Sequence, residues 1–505
     1  MEEGTQKSGG WIDTFGSKEN ITLILVMLLG AFVAILNETL LNVALPKIMA
    51  DMNVNESTVQ WLTTGYLLVI GVLVPVTAFL IQRFTTRTLF MSAMGLFTAG
   101  TLLAGIAPGF GTLLIGRILQ AAGTALIFPL LMNVVLAIIP VHKRGSAMGT
   151  IGIIITFAPA LGPTISGLVI EHFSWRVLFY GVIPIALIVM AIAYAKLKNV
   201  TETESLKIDL FSMVLSTLGF GGIVYGFSAA GGGHGEAGEL QAGWMSGDVI
   251  VPIVVGLLAL IVFTWRQLTM DEPMLDLRSF QYRMFRYSVV ILMIAMVALF
   301  STMLLLPIFL QNALHYSPLE AGLAMLPGGI IMGIMSPITG RLFDAFGPKW
   351  LAVVGMGLLT VTLAGFAFIT TNTPYATLLI LNALFMLGLS MTMMPVMTNG
   401  LNQLPRRLYP HGTAIMNTLQ QVGGAIGTAL LVTLMTLSSS KYMERTGNAL
   451  SDTAAQMDAL LYGMKTAFLT ALALVLAAFV ASFFLQRTVP QEDSLPAGAA
   501  AAGEQ

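Results

Sequence analysis

A single acid lies deep within the first apolar stretch of the chain. Between Ile21 and Leu45 the only charged residue is Glu38, in the segment AILNETLLNVALP. An ionised carboxylate at membrane depth costs about 2.5–3.5 kcal/mol on insertion scales, so such acids are usually functional. A carboxyl group here can take up and release protons, which predicts a proton carrier. The alternative is a permanent ion pair that holds helices together.

Arg117 is the basic residue best placed to interact with Glu38, because it is the only one well inside an apolar stretch. Counting 1.5 Å per helical residue puts Glu38 about 12 Å from the break at Pro46. The same count puts Arg117 about 9 Å from the break at Gly111. We therefore expect both at similar depth, with Arg117 sensing the charge of Glu38 directly or through Gln120. The alternative is a packing residue bonded to backbone carbonyls.

The composition indicates that a membrane must surround these residues. Of the 505 residues, 56% are hydrophobic and 10% are charged, whereas soluble domains carry about 25% charged residues. The absence of cysteine excludes disulfides and thiol chemistry. The net charge of −1 gives no indication of a nucleic-acid partner.

Patterns typical of enzymes are missing from the sequence. No phosphate-binding Gly-Lys-Ser/Thr loop occurs, so ATP is not expected as the direct energy source. The histidines at 142, 172, 234, 315 and 411 lie in or beside predicted loops and form no triad or zinc cluster. We therefore expect no enzyme, no cofactor, no metal and no obligate protein partner, with a proton gradient as the energy source.

Fourteen apolar stretches are long enough to cross a bilayer as helices, which takes about 20 residues each. Most of the 24 lysines and arginines fall in the tails and even-numbered loops, so the positive-inside rule predicts that both termini are cytoplasmic. The fold class is an all-α polytopic membrane protein. The predicted spans are 21–45, 59–81, 88–107, 112–139, 146–170, 174–195, 208–229, 249–268, 287–310, 319–339, 350–371, 375–398, 412–437 and 464–486.

The chain also contains a parallel internal repeat. The segment LLIGRILQAAGTALIFP from Leu113 resembles LLILNALFMLGLSMTMMP from Leu378, and AFLIQRFTTR from Ala78 aligns with GRLFDAFGPK from Gly340. Two six-helix units in the same direction suit a transporter that alternates access to a midplane cavity. The predicted divisions are a tail (1–20), a six-helix bundle (21–200), two linking helices (201–280), a second bundle (281–487) and a disordered tail (488–505).

Four motifs, in order along the chain, carry a family resemblance. They are LNETLLNVALP, STVQWLTTGYLL, LLIGRILQAAGTALIFP and APALGPTISG. The chain resembles the fourteen-span drug:proton antiporters of the major facilitator superfamily, nearest to the lincomycin-resistance-type exporters of Gram-positive bacteria. The resemblance covers nearly the whole chain. It implies two six-helix bundles with two linking helices, and export of varied lipophilic compounds in exchange for protons across the plasma membrane.

The resemblance also implies a gate and a latch. The fifth-span motif would form a gate that favours antiport, although small residues that simply let helices pack closely explain its composition equally well. A cytoplasmic latch would rest mainly on the second half, because Ala78 and Gln82 replace the usual Gly and Asp in the first. The gate candidates are Pro159, Gly162, Pro163 and Gly167, and the latch candidates are Arg83, Arg87, Asp344 and Lys349.

Substrate contacts are expected from polar and aromatic residues near the cavity. Soft apolar walls from 31 methionines and 28 phenylalanines suit bulky amphiphiles without a fixed shape, although ordinary helix packing accounts for many of them. Asn42, one turn after Glu38, is the preferred contact. The candidates are Asn37, Asn42, Trp61, Tyr66, Gln120, Asn133, Asn382 and Asn417.

These inferences together predict a proton-coupled exporter whose partners are lipophilic drugs, protons and the lipid bilayer. One alternative is a dedicated exporter of a single amphiphilic metabolite, bile-like compound or signalling molecule. The other is a transport-inactive membrane sensor or scaffold, which the short tails disfavour.

Overall fold

Fourteen helices form the protein in a computed structural model that describes residues 18–54, 56–200, 209–231, 244–446 and 453–487. Each helix is long and apolar enough to cross a membrane, which confirms the predicted count for these residues. The helices are α1 (Lys18–Met52), α2 (Glu56–Arg83), α3 (Thr86–Gly105), α4 (Phe110–Ile138), α5 (Arg144–His172), α6 (Arg176–Lys196), α7 (Leu210–Gly231), α8 (Gly247–Thr269), α9 (Arg283–Ile308), α10 (Pro318–Phe346), α11 (Pro348–Ala367), α12 (Tyr375–Asn402), α13 (Tyr409–Thr446) and α14 (Thr453–Ser482).

Several helices extend beyond the predicted limits, and α14 for example begins at Thr453 rather than at 464. Helix α1 continues through Pro46 to Met52, and α13 continues to Thr446. Hydropathy marks only the part of a helix that contacts hydrocarbon, so polar extensions beyond the bilayer escape it. The outer segment expected at 438–465 consists largely of the ends of α13 and α14, apart from 447–452, which lies outside the described residues.

The internal repeat is visible in the helix order. A short 3₁₀ turn precedes the fifth helix of each half, at Val141–Lys143 before α5 and at Arg406–Leu408 before α13. In the first bundle α1 packs on α5 and α6, and α3 packs on α4. The second bundle is built in the same way from α9 to α14. This is the predicted architecture of two similar six-helix bundles.

The two linking helices lie at the junction of the bundles. Helices α7 and α8 pack on each other, and α7 also contacts α2 of the first bundle and α13 of the second. The bundles themselves meet mainly through α5 against α10 and α2 against α13. The linking pair therefore touches one of the two seams between the bundles.

The end of the molecule that carries Arg83, Lys143 and Arg144 is called the basic face here. Close backbone contacts join α5 to α10 at this face: a methyl group added to Gly145 would overlap the carbonyl oxygen of Gly340. One turn further in, a methyl group on Gly149 would overlap the backbone oxygen of Ser336. The bundles are therefore in backbone contact at the basic face.

Candidate functional site

Glu38 lies in the middle of α1 and is half-buried. Its neighbours on the helix, Asn37 and Leu41, are 2% and 1% exposed. The charge of Glu38 acts on both Arg117 and Tyr66, so its carboxylate faces the same interior as they do. A carboxylate that is partly accessible yet surrounded by buried groups can exchange protons with an aqueous cavity.

Arg117 is held tightly inside the first bundle. It is 1% exposed, and its guanidinium lies 4.0 Å from the centre of the Tyr66 ring. Arg117 Nη1 donates to Gln120 Oε1 at 3.0 Å, and Nε donates to the carbonyl of Leu62 at 3.4 Å. Gln120 Nε2 in turn donates to Thr101 Oγ1 at 2.8 Å. The network joins α2, α3 and α4 around one positive charge.

Tyr66 completes this network from α2. It is 1% exposed, and its hydroxyl donates to Thr124 Oγ1 at 2.8 Å. A cation over an aromatic ring gains about 2 kcal/mol or more when both are desolvated. The sequence placed Tyr66 among the substrate contacts. In the structure its ring lies against the guanidinium of Arg117. Nothing in the sequence indicates that these two residues are in contact.

Glu38 and Arg117 form no ion pair within 4 Å among the described residues. Their charges interact over a longer distance. Helix α1 ends at Met52 and α4 begins at Phe110, but these helix ends do not mark the edges of the bilayer, so equal depth stays a prediction. The lack of a close ion pair argues against a permanent Glu–Arg brace.

Several predicted substrate contacts are buried amides with an unused hydrogen-bonding atom. The Nδ2 atoms of Asn37, Asn133 and Asn417 have no hydrogen-bond partner in the described part of the chain. A buried amide without a partner costs about 1–3 kcal/mol. Such a cost is tolerated where a ligand or water satisfies the group in another state, which fits a substrate cavity.

Asn382 and Trp61 have other surroundings. Asn382 Nδ2 donates to the carbonyl of Met325 at 3.4 Å, so this amide helps α12 pack on α10, although its Oδ1 has no partner among the described residues. Trp61 is 39% exposed and stacks on Tyr225 of α7 at 5.6 Å. The side chain of Asn42 lies outside the described residues.

The predicted contact Asn417 belongs to a polar stripe on α13 whose other members were absent from the predicted site. Thr413, Asn417 and Gln420 recur at helical spacing on one face, and each is buried with a polar atom unpartnered in the described structure. Because α13 packs against α2 and α4 of the first bundle, this stripe adds unpartnered polar groups of the second bundle to the candidate substrate contacts. The spacing of i, i+4 and i+7 is the signal that could have identified it.

The gate candidates divide into two groups. A methyl group on Gly162 would overlap Thr39 Oγ1, so this glycine lets α5 approach α1 one residue from Glu38. Gly167 has open space around its Cα, so close packing does not explain it. Pro159 is half-buried within the continuous helix α5, and the side chain of Pro163 lies outside the described residues.

The second-half latch candidate Asp344 contacts the start of α5. Its carboxylate accepts from the backbone N–H groups of Gly145 and Ser146, both at 2.8 Å, and from the Ser146 hydroxyl at 2.6 Å. These groups lie in the first turn of α5, where the helix dipole favours a negative charge. We call Asp344 with Gly145 and Ser146 the acid latch; it joins the two bundles.

The first-half counterpart is neutral. Gln82 lies 3.1 Å, Nε2 to Nε2, from His411 of α13, and His411 Nδ1 accepts from the backbone N–H of Asp276 at 3.1 Å. We call Gln82 with His411 the amide latch. The sequence placed His411 in or beside a loop and gave it no role. It lies in the first turn of α13, is 6% exposed, and connects the first bundle, the second bundle and the segment after α8.

The remaining latch candidates lie at other places on the basic face. Arg87 donates from Nη2 to the carbonyl of Tyr194 at 2.6 Å and lies over the Tyr194 ring, so it joins α3 to α6. Arg83 is the last residue of α2 and is half-buried. Lys349 is exposed near the start of α11.

Charged groups outside the spans mainly form hydrogen bonds and ion pairs at helix ends. Hydrogen bonds from Arg176 and Trp175 hold the pKa of Asp51 below its usual range. Burial acts to raise the pKa of Asp209, but hydrogen bonds from Ser212 and Arg266 outweigh it and keep the pKa lowered. The Asp209–Arg266 pair, at 3.1 Å, ties α7 to α8.

Comparisons with known proteins agree with this geometry. The family model described as Major Facilitator Superfamily matches residues 27–428. The lincomycin resistance protein LmrB of Bacillus subtilis is 49% identical over 92% of this chain and 95% of its own length. The multidrug resistance protein B homolog of Mycobacterium tuberculosis is 28% identical over 81% of this chain and 75% of its own. The human organic anion transporter MFSD10 has a similar fold, with a TM-score of 0.65 at 12% identity over 92% of this chain and 100% of its own.

Proposed function

The chain belongs to the major facilitator superfamily, and on that premise we propose that it exports structurally varied lipophilic compounds from the cytoplasm in exchange for protons. The membrane would be a bacterial plasma membrane. The resistance names of its relatives support drug export. The single observation that carries proton coupling is Glu38: a half-buried acid inside a span with no ion pair among the described residues.

The orientation follows from the distribution of positive charge. Arginines and lysines cluster at the basic face, so the positive-inside rule places this face, and with it both termini, in the cytoplasm. With both latches closed at that face, a proton would reach Glu38 from outside. Opening of the latches would then expose the same carboxyl group to the cytoplasm.

Arg117 would set the charge balance of the cavity without binding Glu38 directly. Its positive charge favours the ionised form of a nearby carboxyl group, and desolvation favours the neutral form. A change in the distance between the two residues as the bundles rock would shift this balance. The unpartnered amides of Asn37, Asn133 and Asn417 would hydrogen-bond polar groups of varied substrates.

The test is export of several chemically unrelated fluorescent dyes from proteoliposomes under an imposed pH gradient. We expect Glu38→Gln to remove the dependence on the gradient while leaving the protein folded, because glutamine keeps the shape and loses the titratable proton. Glu171→Gln, which changes an exposed acid at the end of α5, is the matched control and should export normally.

Gradient-driven export that survives intact in Glu38→Gln would refute the coupling role of this residue. Gradient-driven export of only one compound by the wild type would instead indicate a dedicated exporter. No proton movement with any compound would indicate a protein that does not transport.

A further inference from the structure

A cleft of about 590 Å³ opens at the basic face, between the linking helices and the second bundle. Its walls come from α7, α8 and α13 and from the segment between α8 and α9. This cleft lies apart from Glu38 and Arg117, which are in the first bundle. It plays no part in the transport mechanism proposed above.

The cleft is polar at its mouth and apolar inside. Arg278 and Arg286 line it near the basic ends of the helices, since Arg286 is in the first turn of α9. Phe220 and Leu260 line the deeper part, each roughly 15 Å from the basic end of its helix. A cleft with cations at the membrane surface and apolar walls beneath has the polarity of a phospholipid.

Neither arginine is neutralised by an acid in the described contacts. The guanidinium of Arg278 donates to the carbonyl of Met270 at 3.3 Å. Arg286 is exposed and forms no ion pair among the described residues. The neighbouring acid Asp276 is 6% exposed, accepts from the backbone N–H of Arg278 and does not line the cleft. The residues that line the cleft therefore carry two positive charges and no acid.

A second polar group faces the cleft from α13. Thr418 is 1% exposed, lines the cleft, and its hydroxyl has no hydrogen-bond partner within the described ranges. A methyl group added to Gly412 would lie 3.3 Å from the ring of Phe285. The start of α9 and Gly412 of α13 are therefore at the same depth. Thr418 lies six residues further along α13, about 9 Å deeper. An ester carbonyl below a phosphate could accept from this hydroxyl.

The rim of the cleft is fixed by hydrogen bonds. Gln267 Oε1 accepts from the backbone N–H of Leu275 at 3.0 Å, and Gln267 Nε2 donates to Ser212 Oγ at 2.7 Å. On the other side, His411 Nδ1 accepts a hydrogen bond from the backbone N–H of Asp276. The segment between α8 and α9 is thus attached to both walls.

From this geometry we propose that the cleft binds an anionic phospholipid of the adjoining leaflet, with its phosphate between Arg278 and Arg286 and an acyl chain against Phe220 and Leu260. A basic pocket between helices at the cytoplasmic surface is the arrangement that anionic head groups recognise. A shallower groove that shares Leu260 and Thr264 with the cleft offers a surface for the second chain.

Native mass spectrometry of the purified full chain, titrated with dioleoyl-phosphatidylglycerol or dioleoyl-phosphatidylcholine, tests the proposal. Each arginine near the surface contributes about fivefold to anionic-lipid affinity, so the wild type should prefer phosphatidylglycerol by about 25-fold. The double variant Arg278→Gln, Arg286→Gln should lose this preference and keep its affinity for phosphatidylcholine. Arg283→Gln, which alters an arginine stacked on Tyr287 outside the cleft, should behave as wild type.

A second variant guards against an indirect effect of removing charge. Thr264→Trp fills the cleft while keeping both arginines, and it should also abolish the preference. Equal binding of the two lipids by the wild type, or full preference in either cleft variant, would overturn the proposal. Competition by millimolar inorganic phosphate as effective as that by the lipid would show a free-anion site and overturn it as well. Dye export can be measured on the same variants, so failure here is distinct from failure of proton coupling.

Discussion

The two latches occupy equivalent positions in the repeat but use different chemistry. Asp344 gives the acid latch three hydrogen bonds from the start of α5. Gln82 gives the amide latch a single contact with His411. A carboxylate at a helix N-terminus gains from both charge-assisted bonds and the helix dipole, whereas a neutral amide gains little from either. We infer that the acid latch contributes most of the free energy that favours closure of the bundles at the basic face.

The weaker latch is also the one connected to the linking helices. His411 binds the backbone of Asp276 in the segment that follows α8, and α7 touches both α2 and α13 beside it. The acid latch is instead contacted by the segment after α14, where Arg487 Nη2 donates to the carbonyl of Asp344 at 2.8 Å. The linking pair thus supports the seam where the repeat has lost its acid.

The largest effect is expected from Gly145→Ala. The added methyl group would overlap the backbone of Gly340 and the carboxylate of Asp344. Overpacking of this kind costs about 1–3 kcal/mol, so the ratio of closed to open molecules should fall about five- to 150-fold. The equivalent Gly412→Ala meets only the side chains of Leu404, Leu401 and Phe285, which can move, and should have a much smaller effect.

Distances between spin labels measure this directly, because the chain has no cysteine of its own. Labels on His142→Cys and Arg341→Cys, both exposed at the basic face on opposite bundles, should separate in Gly145→Ala. An unchanged distance distribution in that variant, or an equal shift in Gly412→Ala, would contradict the asymmetry.

Asp344→Asn should have the next largest effect. Asparagine keeps one acceptor but loses the charge, a loss of about 1 kcal/mol at a helix N-terminus. The ratio of closed to open molecules should therefore fall about fivefold in the same labelling experiment, and export should fall with it. Should Gln82→Ala open the basic face as far as Asp344→Asn does, the two latches would be equal in strength.

Gln82→Glu, which keeps the length of the side chain, should strengthen the weaker latch. A carboxylate facing His411 would form a charge-assisted hydrogen bond with the imidazole, which gains about 0.5–1 kcal/mol over the neutral contact. The ratio of closed to open molecules should rise about threefold, and export should slow. Label distances that move towards the open form would show that the amide contact is already the better one.

The smallest effect is expected at a charged contact outside both latches. Asp209→Asn removes the pair with Arg266, which contributes at most about 1 kcal/mol. Because the pKa of Asp209 is lowered in the folded protein, its contribution is present above the unfolded pKa of about 3.9 and is lost as the pH falls through the folded pKa. Thermal unfolding should show a small difference from wild type at pH 7 that disappears in acid. A shift in the label distances would show that this pair is coupled to closure.

The fold was predictable from sequence because hydrocarbon thickness and charge distribution leave strong signals. Fourteen spans, two matched bundles and the linking pair all follow from hydropathy and from the repeat. Helix ends beyond the bilayer, such as Met52, leave no such signal, so the first span was predicted to end before the helix does.

The site was predictable only in part. Glu38 and Arg117 stand out because charge is rare in a span. The partners that hold Arg117, above all the ring of Tyr66, could not be identified because many aromatic residues occupy similar positions along the helices. The pairing of Gln82 with His411 was missed because it joins residues 329 positions apart across the seam, and one sequence gives no measure of such proximity.

The glycine contact between α5 and α10 has a consequence for how opening depends on temperature. Gly145, Gly149 and Gly340 bring main chain against main chain, so separating these helices at the basic face exposes amide and carbonyl groups more than hydrocarbon. Exposed apolar surface raises the heat capacity and exposed polar surface lowers it. The enthalpy of opening at this seam should consequently stay nearly constant on warming, so that a van't Hoff plot of open against closed remains close to a straight line.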